Sequence, residues 1–174
     1  TLFTGPLPPK EIEPDGFIGP KQFAPRINGR QYYKNCYICG DIDFIFGSAT
    51  AYFENCVIES LCHTTNVNDI QGYITAASTP ESQEYGYVFS NCKLISKDCP
   101  PNSVYLGRPW RNYAKTVFLE CALGNHIHEC GFHDWKKEDA RNTVLYAEYR
   151  NYPASSADTT SNNRSLNDDI HCID

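Results

Sequence analysis

Methionine is absent from this chain of 174 residues, tryptophan occurs only twice, and no apolar run approaches the roughly 20 residues that span a bilayer. No charged-then-apolar leader is present either, and the chain opens on Thr1-Leu2-Phe3. We therefore expect a fragment or a processed chain, with no membrane partner. Basic clusters are lacking: 15 Lys and Arg stand against 21 Asp and Glu, a formal charge of −6. That balance excludes a nucleic-acid partner, and a polyanion would have to be met by a local groove rather than by the global field. No stretch carries the apolar period of a long helix, and Lys136 to Arg141 predicts one short turn. A Gly-x-Ser-x-Gly elbow, the usual seat of a serine nucleophile, is missing.

Cysteine is plentiful. There are nine, an odd number, so at least one cannot pair within the chain. Four recur in one pattern: Tyr33-Lys34-Asn35-Cys36-Tyr37-Ile38, Phe53-Glu54-Asn55-Cys56-Val57-Ile58, Phe89-Ser90-Asn91-Cys92-Lys93-Leu94 and Phe118-Leu119-Glu120-Cys121-Ala122-Leu123. Their cysteines are 20, 36 and 29 residues apart, which fits coils of an all-β solenoid with loops of unequal length, specifically a parallel β-helix. There the Cys and aliphatic positions face inward and stack from coil to coil, so these cysteines act as small buried hydrophobes. The alternative is a disulfide between neighbouring coils, with Cys36 and Cys56 the expected pair. Further strands are predicted at 73–76, 86–89, 116–119 and 143–146. We expect a single domain over 1–174, with the Pro-rich stretch 5–28 as a surface loop and 155–174 as an irregular tail.

One carboxylate is out of place. In Gly40-Asp41-Ile42-Asp43-Phe44-Ile45-Phe46-Gly47, Asp43 lies inside an apolar, β-favouring run where an unpaired charge costs several kcal/mol. A partner is on offer in Tyr105-Leu106-Gly107-Arg108-Pro109-Trp110. Alone, such an Asp and Arg read as a structural ion pair. Asp41 is two residues from Asp43 and, by strand alternation, on the same face; we read it as an outer groove residue.

These two segments resemble the most diagnostic motifs of the pectin methylesterases, and the resemblance continues through Gly131-Phe132-His133-Asp134-Trp135 and Tyr146-Ala147-Glu148-Tyr149. It covers about Gly29 to Tyr152 and looks like the C-terminal part of a bacterial-type member. What it implies is a right-handed parallel β-helix lacking its N-terminal coils, acting on methyl-esterified homogalacturonan (pectin) without a cofactor, monomeric when full-length. Asp43 stands at the family's nucleophile and Arg108 at the arginine that holds it ionised, while Trp110 and Trp135 stand at sugar-binding walls. The family works outside cells or at the cell wall, although an odd cysteine count fits a reducing interior as well.

The chain also departs from the family. Thr1-Leu2-Phe3 looks like the tail of a Gly-x-Gln-Asp-Thr-Leu-Tyr motif whose Gln serves the oxyanion and whose Asp is the general acid, making 5–28 an inserted loop. An ungapped alignment instead puts Lys21 and Gln22 at those positions. Either way the acid is lacking, and we expect the fragment to be inactive alone. The Gly-Pro-Gly turn expected after Tyr149 is replaced by Asn151-Tyr152-Pro153. Two ligand-rich spacings, Cys36-x2-Cys39 and His126-x-His128-x-Cys130 near His133, are read as non-metal. The rival readings are another pectin-acting β-helix enzyme, a lyase or polygalacturonase, and a β-helix that binds pectin without turnover.

Overall fold

Among the described residues every strand pairing is parallel, and every pairing joins one coil to the next. The computed structural model describes residues 1–5 and 28–154, so most of the Pro-rich segment 5–28 and the tail 155–174, together with Lys21 and Gln22, lie outside the described residues. Three sheets result. The first runs β1 (Leu2–Phe3), β4 (Ile42–Gly47), β7 (Gly72–Ala77), β10 (Val104–Gly107). The second holds β2 (Arg30–Lys34), β5 (Thr50–Glu54), β8 (Tyr87–Ser90), β11 (Lys115–Leu119) and β13 (Leu145–Tyr149). The third holds β3 (Tyr37–Gly40), β6 (Val57–Ser60), β9 (Lys93–Ile95), β12 (Ala122–Leu123) and β14 (Tyr152–Pro153). The chain winds through the three in turn as a right-handed parallel β-helix.

The recurring hexapeptide is the corner between the second and third sheets. Its aromatic residues are in register, Tyr33 with Phe53, Phe53 with Phe89, Phe89 with Phe118, and their rings stack at 4.7, 4.4 and 4.5 Å. Its aliphatic residues Ile38, Ile58, Leu94 and Leu123 form a second ladder. Between them Cys56, Cys92 and Cys121 are fully buried, each directing its thiol to a backbone carbonyl of the preceding coil, and none is bridged. The residue before each Cys turns the corner in the left-handed region, with φ of 55° at Asn35 and 52° at Asn55 and Asn91. Asn tolerates that conformation better than other residues bearing a Cβ, which explains its recurrence in the first three coils. In the fifth coil Glu148 pairs with Phe118 and the pattern turns polar: Asn151 Nδ2 donates to Glu148 Oε2 at 2.9 Å, while Asn151 Oδ1 accepts from the Cys121 amide.

The strands expected at 73–76, 86–89 and 116–119 are found within a residue or two. The one expected at 143–146 begins later, at Leu145. Thr143 and Val144 instead donate their amides to Ala140 O, closing the turn after the short helix α1 (Glu138–Arg141). No helix among the described residues is long and apolar enough to cross a membrane.

Candidate active site

The first sheet stacks four segments that are far apart in sequence, and its solvent-facing side carries the site. β4 pairs with β7 from Ile42↔Tyr73 to Ile45↔Thr75, so three steps on β4 are matched by two on β7. The extra residue makes a bulge, and Asp43 occupies it with φ of 51°. Phe44 and Ile45 are then consecutive residues that are both fully buried, which strict alternation forbids, and the Asp43 side chain is released outward. This corrects the alternation argument for Asp41. That residue precedes the strand, its carboxylate accepts from the Ile42 amide and pairs with His63 Nδ1 at 3.0 Å, and those two contacts, led by His63, hold its pKa down. Asp41 does not line the cleft that Asp43 faces.

Arg108 follows β10, two coils from Asp43, a separation of about 10 Å in backbone terms. Only a long side chain bridges that gap. It crosses β7 and meets Asp43 side on: Nε donates to Oδ1 at 2.9 Å and Nη2 to Oδ2 at 2.8 Å, with the two side chains 15% and 22% exposed. Tyr73 from the intervening coil and Trp135 from the following one cover the two faces of the guanidinium, each ring centroid 3.8 Å from Cζ. The planar fork is thus fixed in roll as well as in reach. Gly107 before it is required by close approach, since a Cβ there would overlap Thr75 Oγ1, which is committed to Leu106 O.

A cleft of about 320 Å³ opens over the pair, lined by Thr1, Ile42, Asp43, Phe46, Ala76, Trp110 and Trp135. Among the described residues Asp43 is its only carboxylate. Trp110 packs on Phe46 at 5.7 Å, and Phe46 on Phe3 at 5.0 Å, giving one apolar wall. Trp135 makes the other and is held in an uncommon state: it and Lys136 both have φ of 56°. Two left-handed residues in succession cost on the order of 1–3 kcal/mol each. His133 Nδ1 accepts the Trp135 amide, Asp134 accepts the Lys136 amide, and Arg141 grips Asp134 through Nε at 2.8 Å, which together hold the turn. Lys137 spans both walls, donating to Pro109 O and Trp110 O at 2.8 Å and lying 4.6 Å from the Trp135 ring. Burial, then Arg111 and Arg108, push its pKa down.

All four residues singled out in the sequence, Asp43, Arg108, Trp110 and Trp135, therefore meet at one place. Tyr73, Phe46 and Lys137 were not anticipated. Each is an ordinary residue for its segment, and only coil stacking gives it a neighbour. The two metal-like spacings are dispersed: Cys36 belongs to the ladder corner, His126 is fully buried, and His128 stacks on Tyr105 at 4.2 Å with Nδ1 accepting the Cys130 amide. Among the described residues no group of three or more ligating side chains could hold a metal.

The fold and the paired carboxylate define a right-handed parallel β-helix with an Asp–Arg centre in its groove. Comparison with known proteins makes this specific. A family model described as Pectinesterase matches residues 26–166. The chain is 42% identical over 141 residues to probable pectinesterase/pectinesterase inhibitor 13 of Arabidopsis thaliana, covering 76% of this chain and 22% of that protein. It is 38% identical over 156 residues to pectinesterase 31 of the same plant, covering 88% and 46%. It superposes on the crystal structure of the Aspergillus niger pectin methylesterase with a TM-score of 0.61 at 32% identity, covering 82% of this chain and 44% of that one. The chain belongs to the pectinesterase family. It spans less than half the length of each of these relatives.

Proposed function

We propose that the protein containing this chain hydrolyses the methyl esters of polygalacturonate, releasing methanol and leaving a free uronate, with Asp43 as nucleophile. The observation that carries this reading is the two-pronged Asp43–Arg108 pair at the base of an aromatic-walled cleft. Arg108 donates to both carboxylate oxygens and fixes their orientation, and the outward aim of the bulge leaves the group accessible from the cleft. Asp43 attacks the ester carbonyl carbon, the tetrahedral intermediate expels the methoxy group, which takes up a proton, and water then cleaves the acyl-enzyme. Trp110 offers an apolar face to a sugar ring. One face of Trp135 is covered by Arg108, so it meets the substrate with its edge or its other face.

The proton donor is not supplied by the lining residues, because Asp43 is the only acid among them. We assign it to a residue outside the described ones. The single carboxylate among the described lining residues disfavours a lyase, which needs several acids around calcium, and a polygalacturonase, which needs a pair. Since the substrate is a wall polymer, the proposed site of action is extracellular. The test is Asp43→Asn in the full-length protein. Asn keeps the shape and tolerates the left-handed backbone, so the fold should persist while methanol release drops below about 1% of the parent rate. Activity above that level in a homogeneous, folded sample would show that Asp43 is not the nucleophile.

A further inference from the structure

Outside the ladder, two cysteines from adjacent coils come together at the surface. Cys62 lies two residues beyond the end of β6, and Cys99 follows β9, the strand paired to β6. The two loops are stitched at one carbonyl: Ser60 O accepts from Ser96 Oγ at 2.8 Å and from Cys99 Sγ at 3.7 Å, while Ser96 Oγ accepts the Cys99 amide at 3.0 Å. This fixes Cys99 over the start of the segment that carries Cys62. Cys62 follows Ser60 by two residues and is near enough to act on the Cys99 thiol, which burial pushes up to about 12. Cys62 itself is exposed.

We propose that Cys62 and Cys99 form a disulfide that staples the second coil to the third. The pair differs from the ladder cysteines in one respect that governs reactivity. Cys56, Cys92 and Cys121 are closed off from solvent, and burial pushes the Cys56 thiol up to about 11, so no oxidant meets them in the folded protein. Cys62 meets solvent directly, with Cys99 immediately behind it. In the presence of a small disulfide, the Cys62 thiolate attacks one sulfur and releases one thiol, giving a mixed disulfide. Cys99 then loses its proton to solvent, its sulfur attacks Cys62 Sγ, and the second thiol leaves. Two protein thiols are oxidised by two electrons, and the small disulfide is reduced to two thiols. The bridge closes the 62–99 segment, which passes through β7 in the first sheet. It leaves the Asp43–Arg108 centre untouched.

The experiment is a disulfide map of the native protein, made before and after incubation with oxidised glutathione, with free thiols alkylated before unfolding. Chymotrypsin cutting after Leu61 and Tyr73 isolates Cys62 as the only cysteine of its peptide, and trypsin cutting after Lys97 and Arg111 isolates Cys99, the Arg108–Pro109 bond being resistant. The expected result is a linked pair of these peptides that separates on reduction. Reduction should also lower the melting temperature of the wild type by about 5 °C and leave the double variant Cys62→Ser, Cys99→Ser unmoved. Full alkylation of both residues after glutathione treatment would overturn the proposal. So would a stable glutathione adduct on Cys62, because the Cys99 sulfur would then have failed to reach it.

Discussion

Replacing Arg108 with lysine tests the central contact while leaving its charge in place. The guanidinium makes two charge-assisted hydrogen bonds to Asp43 and is stacked on both faces at 3.8 Å. An ammonium group keeps one bond at best. The second is worth about 1.5–3 kcal/mol, and loss of the planar stacking on two rings adds about 0.5–2. Both side chains keep some solvent exposure, so the lower half applies, about 2–3 kcal/mol of lost positioning in the transition state. That corresponds to a fall in kcat/KM of about 30- to 150-fold. Methanol-release kinetics on the full-length protein, with a melting curve as a control for folding, measure it. Tyr73→Leu removes one of the two stacked faces without touching the hydrogen bonds and should lie between wild type and Arg108→Lys. A folded Arg108→Lys protein within threefold of wild type would refute the reasoning and make the pair merely structural.

Three further outcomes follow from the same geometry. Gly107→Ala should cost at least about 1–3 kcal/mol in chemical denaturation, because the new Cβ overlaps Thr75 Oγ1, and should also displace Arg108; an unchanged midpoint would contradict the packing. Phe89→Ala removes the middle of a three-ring stack that is wholly buried and should cost about 3–5 kcal/mol in the same assay, with less than about 1.5 arguing against the ladder as a source of stability. His126 is fully buried, both ring nitrogens lack a hydrogen-bond partner, and burial pushes its pKa down to about 4 from 6.5. The fold therefore favours the neutral ring: its contribution is intact above pH 6.5, declines as the unfolded chain takes up the proton, and is lost by about pH 4. The loss totals about 3 kcal/mol. His126→Leu should flatten stability between pH 7 and pH 4.5, and an unchanged pH slope in that variant would sink the assignment.

The cysteine hexapeptide made the solenoid legible in the chain, because its stacking positions are local: an aromatic three residues before Cys and an aliphatic two after it come inward whatever the intervening loops do. The same holds for the motif residues. An Asp in an apolar run and an Arg held between Gly, Pro and Trp each announce a special environment from their immediate neighbours alone. What sequence reading could not supply was the bulge, since one extra residue in β4 reverses the alternation from which the facing of Asp41 and Asp43 was argued. Nor could it find Tyr73 on one side of the guanidinium and Lys137 across both walls. In a parallel β-helix a side chain's neighbours lie a full coil away, about 4.8 Å in space and some 20 to 36 residues along the chain, and the loop lengths decide which residue comes into register. Residue types and local pattern determined which side chains were special. The winding of the coils decided what each of them touches.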